Sequence, residues 1–474
     1  MHRIDCIKGT GGQEDNMSGQ TKTGKNKSVA IIGTGISGLS AAWLLSQTHD
    51  VTLYESANYI GGHSHTVDIT LDDKTFPVDT GFIVYNPQNY PNLTALFNHL
   101  KVETTPTDMS FAASLDRGGF EYAGGTGIAG LLAQPSNLFR KRFWGMLAGI
   151  VRFYHNTQRY IDDPATARMT LGELLSKENY RSDFIQDHLS PMGAAIWSGD
   201  QKNILEYPAL AFLKFFKNHG LTQFRKRPEW RTVVGGSREY IKKLTTGFAS
   251  HIHLSTPVSH VMRTPAGTVV CGKNHQQKVF DHVIFACHAD QALALLTNPS
   301  REQVTILQNI PYQTNEVYLH TDTRQMPRRK SAWASWNYIE SRKGTPLSYW
   351  MNKLQPLPTR TPVIVTLNPA EPIDPRKILG RYSYDHPLFT HQTHQAQKDI
   401  WTIQGQNNIW FAGAYLGDGF HEDGIQAGLS IAEKIGAVRR PWQLDGQNLR
   451  IGLKDHIAPE MPWFDNKDYL SGAA

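Results

Sequence analysis

The sequence predicts an α/β fold with a parallel sheet, and three observations carry that prediction. A short apolar run, Val29-Ala30-Ile31-Ile32, leads through a glycine turn into an apolar helical stretch, Leu39 to Leu45. Runs of this kind form strands buried on both faces of parallel sheets. A second short run, Val51-Thr52-Leu53-Tyr54, follows the helix and ends at Glu55. Finally, 40 glycines and 25 prolines indicate a turn-rich α/β or α+β chain and not a helical bundle.

The turn between the first strand and the helix reads Gly33-Thr34-Gly35-Ile36-Ser37-Gly38. Gly33 allows the tight turn, Gly35 lets the backbone approach a pyrophosphate, and Gly38 lets the helix pack on the strand. The helix start supplies amides and a positive dipole end to the phosphates. Glu55 follows at about 20 residues, where a carboxylate holds both ribose hydroxyls and repels a 2′-phosphate. A Rossmann-type dinucleotide site is therefore expected, with NAD and FAD both open at this point.

At 474 residues, the chain is long enough for two or three domains. Its 40% apolar content, with 11 Trp, 18 Tyr and 20 Phe, excludes a disordered, collagen-like or coiled-coil protein. The three cysteines, Cys6, Cys271 and Cys287, form no C-x-x-C pair, so a disulfide scaffold and a zinc ribbon are excluded and a reducing compartment is expected. Residues 1–27 are polar and lack an apolar h-region; they read as a disordered extension, with a second start at Met17, and not as a secretory signal. The apolar stretch Ser28 to Ser46 is better explained by its glycines and helix than by a membrane span, so no transmembrane helix is expected.

After Glu55 comes Gly61-Gly62-His63, then Val78-Asp79-Thr80-Gly81-Phe82-Ile83-Val84-Tyr85-Asn86, and later Trp230 to Ser237 with Gly235-Gly236. Near the C-terminus, Asn408-Ile409-Trp410-Phe411-Ala412-Gly413 precedes Phe420-His421-Glu422-Asp423-Gly424-Ile425. Together these resemble the FAD-binding amine oxidase and phytoene desaturase superfamily. The wording Gly-Phe-His-Glu-Asp-Gly, with Gly-Gly-His-Ser-His and Asp108-Met109-Ser110-Phe111, resembles a branch of predicted FAD-binding oxidoreductases. His63 departs from the pattern, which usually has Arg there.

The resemblance implies a glutathione reductase/amine oxidase-like FAD-binding domain assembled from separated segments, with an inserted α+β substrate domain. The implied cofactor segments are 28–110, 228–298 and 396–438; the substrate segments are 111–227, helical and basic, and 299–395, with a strand at Thr361 to Leu367; 439–474 is an irregular tail. It further implies FAD contacts at Gly33, Gly35, Ile36, Ser37, Gly38, Glu55, Gly61, Gly62, His63, Thr80, Gly81, Phe82, Val258, Ala286, Gly413, Asp423, Gly424 and Ile425. In relatives the Gly-Gly turn precedes the strand that returns to the cofactor domain, and the acid-Gly turn opens a second helix whose amides meet the flavin.

The first insertion has no Asp or Glu from Tyr122 to Ile161, while Arg140, Lys141, Arg142, Arg152 and Arg159 sit among apolar residues. Phe143, Leu147, Ile150 and Tyr154 make one apolar helical stripe; Ala209, Phe212, Leu213 and Phe216 make another. Phe-Arg-Lys-Arg occurs at 139 and again at 224. Two readings stand: a cap helix with a solvated basic edge, or a surface that meets anionic lipid. Nucleic acid is not expected, since the clusters lack a binding module or a stacking platform.

Candidate catalytic residues are His421 and Glu422, with helix capping by Glu422 as the alternative. Tyr85 is a candidate substrate contact or a core residue, and His63 is placed to hydrogen-bond the pyrophosphate. His251 and His253 alternate along a strand without acidic or cysteine partners, so no metal is expected. Cys271 and Cys287 read as inert core residues in strands, away from the C-terminal motif, which implies non-covalent FAD. The implied activity is hydride abstraction from a substrate C–H or C–N bond to flavin N5, with an apolar, lipid-like substrate and an unspecified electron acceptor. The implied location is cytoplasmic, with peripheral contact at the inner face of a membrane. An amine oxidase, a flavin-dependent isomerase and a non-catalytic flavoprotein in a lipid-modifying assembly stay open.

Overall fold

The computed structural model describes residues 26–125, 127–197, 204–223, 227–273, 276–341, 346–453 and 464. Cys6, Met17 and the first three residues of the second Phe-Arg-Lys-Arg run lie outside them. The first strand, Ser28–Ile32, is the centre of a five-stranded parallel sheet. It pairs with Asp50–Tyr54 on one side and His282–Phe285 on the other; Ile252–His253 and Ile409–Phe411 form the edges. The central strands carry the buried apolar runs Val29–Ile32 and Val283–Phe285, as strands buried on both faces do. The helix Ile36–Leu45 has all ten residues buried, and it packs against the helix His421–Ile435. Segments far apart in sequence thus share one core.

A second sheet has seven strands, in the spatial order Ile378–Pro387, Tyr312–His320, Ile364–Leu367, Leu347–Trp350, Trp336–Ile339, Phe111–Leu115 and Phe120–Gly124. All neighbours are antiparallel except Trp336–Ile339 with Phe111–Leu115, which joins the two insertions. Helices Lys141–Asp162, Ser190–Trp197 and Ala209–Asn218 build a separate apolar core beside this sheet. Both apolar stripes seen in the sequence belong to it. Phe143, Ile150, Ala209, Phe212, Leu213 and Phe216 are all buried, so these faces pack inward.

Three local expectations are corrected. The Gly235-Gly236 turn follows the strand Trp230–Val233 and opens the helix Arg238–Thr245; the chain reaches the parallel sheet only at Ile252–His253. Tyr85 is 3% exposed and packs edge-on against Phe97, with its hydroxyl on Thr104 Oγ1, so it is a core residue and not a substrate contact. Cys287 lies just beyond the strand His282–Phe285 and lines a cavity, whereas Cys271 is buried in the strand Gly267–Gly272.

Candidate active site

A cavity of about 710 Å³ runs between the two sheets. Its size is that of a small-molecule or cofactor site. At one end its wall is the first glycine turn. Gly33 has φ +108°, and a Cβ there would sit 2.6 Å from the Ala286 carbonyl oxygen. Only glycine fits. A Cβ at Gly35 would meet nothing within 4 Å, so that backbone is open for a close ligand. Glu55 accepts from the Thr34 amide (2.9 Å) and hydroxyl (2.6 Å) and from the Ala57 amide (2.9 Å). The acid is thereby fixed beside the turn at the cavity wall.

The Gly-Gly-His segment lies directly against the Thr80-Gly81-Phe82 segment. The Phe82 amide donates to the His63 carbonyl (2.7 Å) and the Thr80 amide to the His65 carbonyl (2.9 Å). Gly81 is required at this crossing, since a Cβ would come within 2.1 Å of the His63 oxygen. Thr80, His65 and Tyr384 share a hydrogen-bonded triangle, with Thr80 Oγ1 2.7 Å from the Tyr384 hydroxyl. Tyr384 comes from the seven-stranded sheet, so this triangle ties that sheet to the ends of the two-stranded hairpin Thr66–Leu71 and Lys74–Asp79.

Of the residues expected at the site, Gly33, Gly35, Ile36, Ser37, Glu55, Gly61, Gly62, His63, Thr80, Gly81, Phe82, Val258, Ala286, Gly413 and His421 all line the cavity. Gly38, Glu422, Asp423, Gly424 and Ile425 do not. Glu422 is fully buried, and its carboxylate accepts from the Asn92 amide (3.1 Å), the Asn92 side chain (2.8 Å), the Leu93 amide (3.0 Å) and Gln426. It closes the amino end of the helix Pro91–His99, where free amides and the dipole favour an anion. Glu422 therefore offers no group to a substrate, and its expected catalytic role is corrected to a structural one. Asp423 is also buried; it accepts from the Phe420 amide (2.8 Å) and is paired with Arg450 at 2.7 Å.

His421 is differently placed. Its ring stacks on Phe82 (centroids 3.9 Å apart), and Nε2 is 2.7 Å from the Tyr240 hydroxyl and 3.1 Å from Ser64 Oγ. Burial, then the charge of His63, pushes its pKa down to about 3, so the ring is neutral. The two hydroxyls can donate or accept, and either tautomer of His421 is held in the same orientation.

The wall also carries groups not expected from sequence. His288 and His386 cluster there around His63, with ring centroids 5.3 Å (His63–His386) and 6.4 Å (His63–His288) apart. Burial holds His63 at about 4 and His386 at about 3, and the Nε2 of His63 is buried without a hydrogen-bond partner. The spacing of Tyr384 and His386 along one strand is the sequence signal for this wall, since residues two apart share a face. No group of His, Cys, Asp and Glu suited to a metal ion occurs among the described residues.

The chain matches the model of the flavin containing amine oxidoreductase family over residues 36–369 and belongs to that family. It is accordingly an FAD-dependent oxidoreductase. Among solved structures it is similar to a putrescine oxidase variant (15% identity, 86% of this chain and 98% of that one, TM-score 0.62). It is also similar to a CLA-producing fatty acid isomerase from P. acnes (13%, 86% and 98%, 0.61). A third is a putative protoporphyrinogen oxidase from Exiguobacterium sp. 255-15 (13%, 87% and 99%, 0.61). At these identities the likeness is one of fold. No curated protein sequence matches the chain.

The residues present fit FAD on two observations. The Gly35 backbone faces open space at the start of a buried helix, as a phosphate contact requires. The unpartnered, buried Nε2 of His63 lies in the same wall, and a bound polar ligand would satisfy it.

Proposed function

We propose that the enzyme oxidises an apolar, lipid-like substrate at a C–H or C–N bond, with FAD bound non-covalently. The observation that carries this reading is the wall remote from the glycine turn. Met109, Phe111, Met192, Ile196, Trp197, Phe215, Trp336 and Phe389 line it, and no Lys or Arg lines the cavity among the described residues. A substrate there is held by burial of apolar surface and not by a salt bridge. The same division of labour supports reading 28–110, 228–298 and 396–438 as cofactor segments, and 111–227 and 299–395 as substrate segments.

In this reading the turn Gly33–Ser37, Gly61, Gly62 and His63 hold the pyrophosphate and Glu55 the ribose. Val258 and Ala286 would flank the adenosine half, and Thr80–Phe82 and Gly413 would border the flavin. Asp423, Gly424 and Ile425 act from behind, by fixing the helix whose first residue, His421, reaches the cavity. The bound cofactor supplies a two-electron acceptor. The chain orients the substrate against it, excludes water with aromatic side chains, and sets a neutral imidazole at the wall as hydrogen-bond partner. Cys287 supports a non-covalent link: burial pushes its thiol up to about 12, so the nucleophilic thiolate is not available near neutral pH.

Amine oxidation is the second reading, favoured by one observation. Asp385 is an acid among the residues of a cavity that no Lys or Arg lines among the described residues, and its carboxylate accepts from Thr314 at 2.6 Å. Anaerobic bleaching of the flavin decides between them. Long-chain neutral lipids are expected to bleach it and small primary amines to leave it oxidised. Bleaching by amines alone would replace the first reading with the second; substrate isomerisation without net bleaching would point to a flavin-dependent isomerase. Yellow colour left in the precipitate after denaturation would overturn the non-covalent assignment.

A further inference from the structure

The helical insertion carries a surface that neither the cavity nor the core uses. Five of the eight large apolar side chains exposed among the described residues fall between positions 128 and 151: Ile128 (77% exposed), Leu138, Phe139 (91%), Trp144 (54%) and Val151 (56%). They are held there by polar anchors. Gln134, Asn137 and Arg140 hydrogen-bond Gly119 and Glu121 at the edge strand of the seven-stranded sheet, which fixes the 135–139 turn. The Trp144 indole donates to the Leu138 carbonyl at 2.9 Å. The helix Lys141–Asp162 is amphipathic in an unusual sense: Phe143, Met146 and Ile150 are buried, while Trp144, Ala148 and Val151 on the opposite side face outward.

The charge around this surface is one-sided. Arg117 and Lys141 are exposed, and Arg140, Arg328 and Arg329 gather on the Gly118-Gly119 turn; Lys330 sits beside the helix Gly127–Leu131. Among the described residues, Arg117, Arg140, Lys141, Arg328 and Lys330 form no ion pair. Of the nearby acids, Asp116 pairs with Arg142, Glu121 with Arg329 and Asp183 with Arg181, and the exposed Glu340 accepts from the Asp116 amide at 2.6 Å.

We propose that this surface docks the protein onto an anionic phospholipid bilayer, with Phe139, Trp144 and Ile128 inserted among the acyl chains and the basic ring on the headgroups. Exposed aromatic and aliphatic side chains ringed by unpaired cations match the two components of interfacial binding. A protein partner would need acidic complementarity but not the protruding single rings. Among the described residues no helix is long and apolar enough to cross a membrane, so the contact is peripheral. The helical segment 182–197 packs against the inner side of the Lys141–Asp162 helix, and its far end lines the cavity. The docking face and the cavity are thus two sides of one helical layer.

The test is co-sedimentation of the full chain with FAD bound, using vesicles of phosphatidylcholine alone or mixed equally with phosphatidylglycerol. Binding to the mixed vesicles only, weakened by high salt, is expected. The double variant Phe139→Glu/Trp144→Glu is expected to bind at least about tenfold less, with flavin content and melting temperature unchanged. Val279→Glu, at another exposed apolar position, is expected to bind as the native chain does. Failure of the native chain to bind, or equal binding by the double variant, overturns the proposal. So does a dimer that the double variant dissociates when no vesicle binding is seen, since the patch would then join two copies of this chain.

Discussion

His421 and Glu422 are adjacent in sequence and do opposite work. The peptide direction at the start of the helix sends His421 toward Phe82 and the cavity and Glu422 back into the amino end of the helix Pro91–His99. Truncating each therefore has a distinct signature. Glu422→Ala strands two amides and the Asn92 side chain in the interior and is expected to cost roughly 2–4 kcal/mol of stability. Below its lowered melting point it keeps a normal rate of flavin reduction. His421→Ala leaves stability within about 1 kcal/mol and lowers the rate of flavin reduction by an estimated 10- to 100-fold, with flavin retained. Stopped-flow reduction beside thermal melts reads both. A catalytic loss in Glu422→Ala with an unchanged melting temperature would reverse the assignment.

At the scale of elements, the contact between the helices Ile36–Leu45 and His421–Ile435 decides whether the cofactor site exists. Gly428 lies so close that a Cβ would be 2.2 Å from the Ser37 carbonyl oxygen, and a Cβ at Gly424 would be 2.6 Å from Ile36. These neighbours belong to the first turn of the helix that, in the proposed reading, faces the phosphates. Gly428→Ala meets backbone, which cannot swing away, and is expected to destabilise by about 2–3 kcal/mol. Gly424→Leu meets the Ile36 side chain and is expected to displace the first turn and release FAD, read by flavin absorbance after gel filtration. Full flavin in that variant would mean that the second helix does not support the site. The tail completes this support: Arg440 is fully buried against Glu433, and Arg450 pairs with Asp423.

Across the whole molecule, burial of histidines sets the acid limit of stability. His63, His282 and His320 are held at about 4, and His188, His219, His386 and His421 at about 3, in each case chiefly by burial. All are neutral in the folded state and take up protons on unfolding below about 6.5. Their contribution is complete above that pH and is lost as pH falls toward 4, at roughly 1.4 kcal/mol per pH unit for each histidine. Asp79 works the other way. Burial raises it to about 6, so it is more favourable protonated and gains between about 6 and 4; burial also raises Asp423 and Glu422, but these are three carboxyls against seven histidines. Melting temperatures are expected to hold from pH 8 to about 6.5 and to drop steeply by about pH 5. A flat profile down to pH 4 would mean that water reaches these rings in the folded state.

Much of this arrangement was legible in the sequence where function constrains a contiguous stretch. The strand, glycine turn, helix and Glu55 are local, because one turn must meet one pyrophosphate, and they identify the dinucleotide domain without any fold. The resemblance of the Gly61-Gly62 and Phe420–Gly424 stretches then separated FAD from NAD. What the sequence could not show is direction. Glu422 and His421 are indistinguishable as candidates until the helix start aims one inward and one at the cavity. The stripe Phe143, Leu147, Ile150 and Tyr154 is equally suited to a core or to a lipid surface, and only packing against the Ala209–Asn218 helix assigns it to the core and leaves Phe139 and Trp144 outside. Tyr384, His386 and Cys287 reach the cavity from positions hundreds of residues beyond the first glycine turn, and Tyr240 supports His421 from behind the wall. The sequence determined the family, the cofactor and the glycine positions, since these follow from short-range geometry. Tertiary structure alone decided which side chains face the substrate, because that depends on how distant sheets close over one cavity.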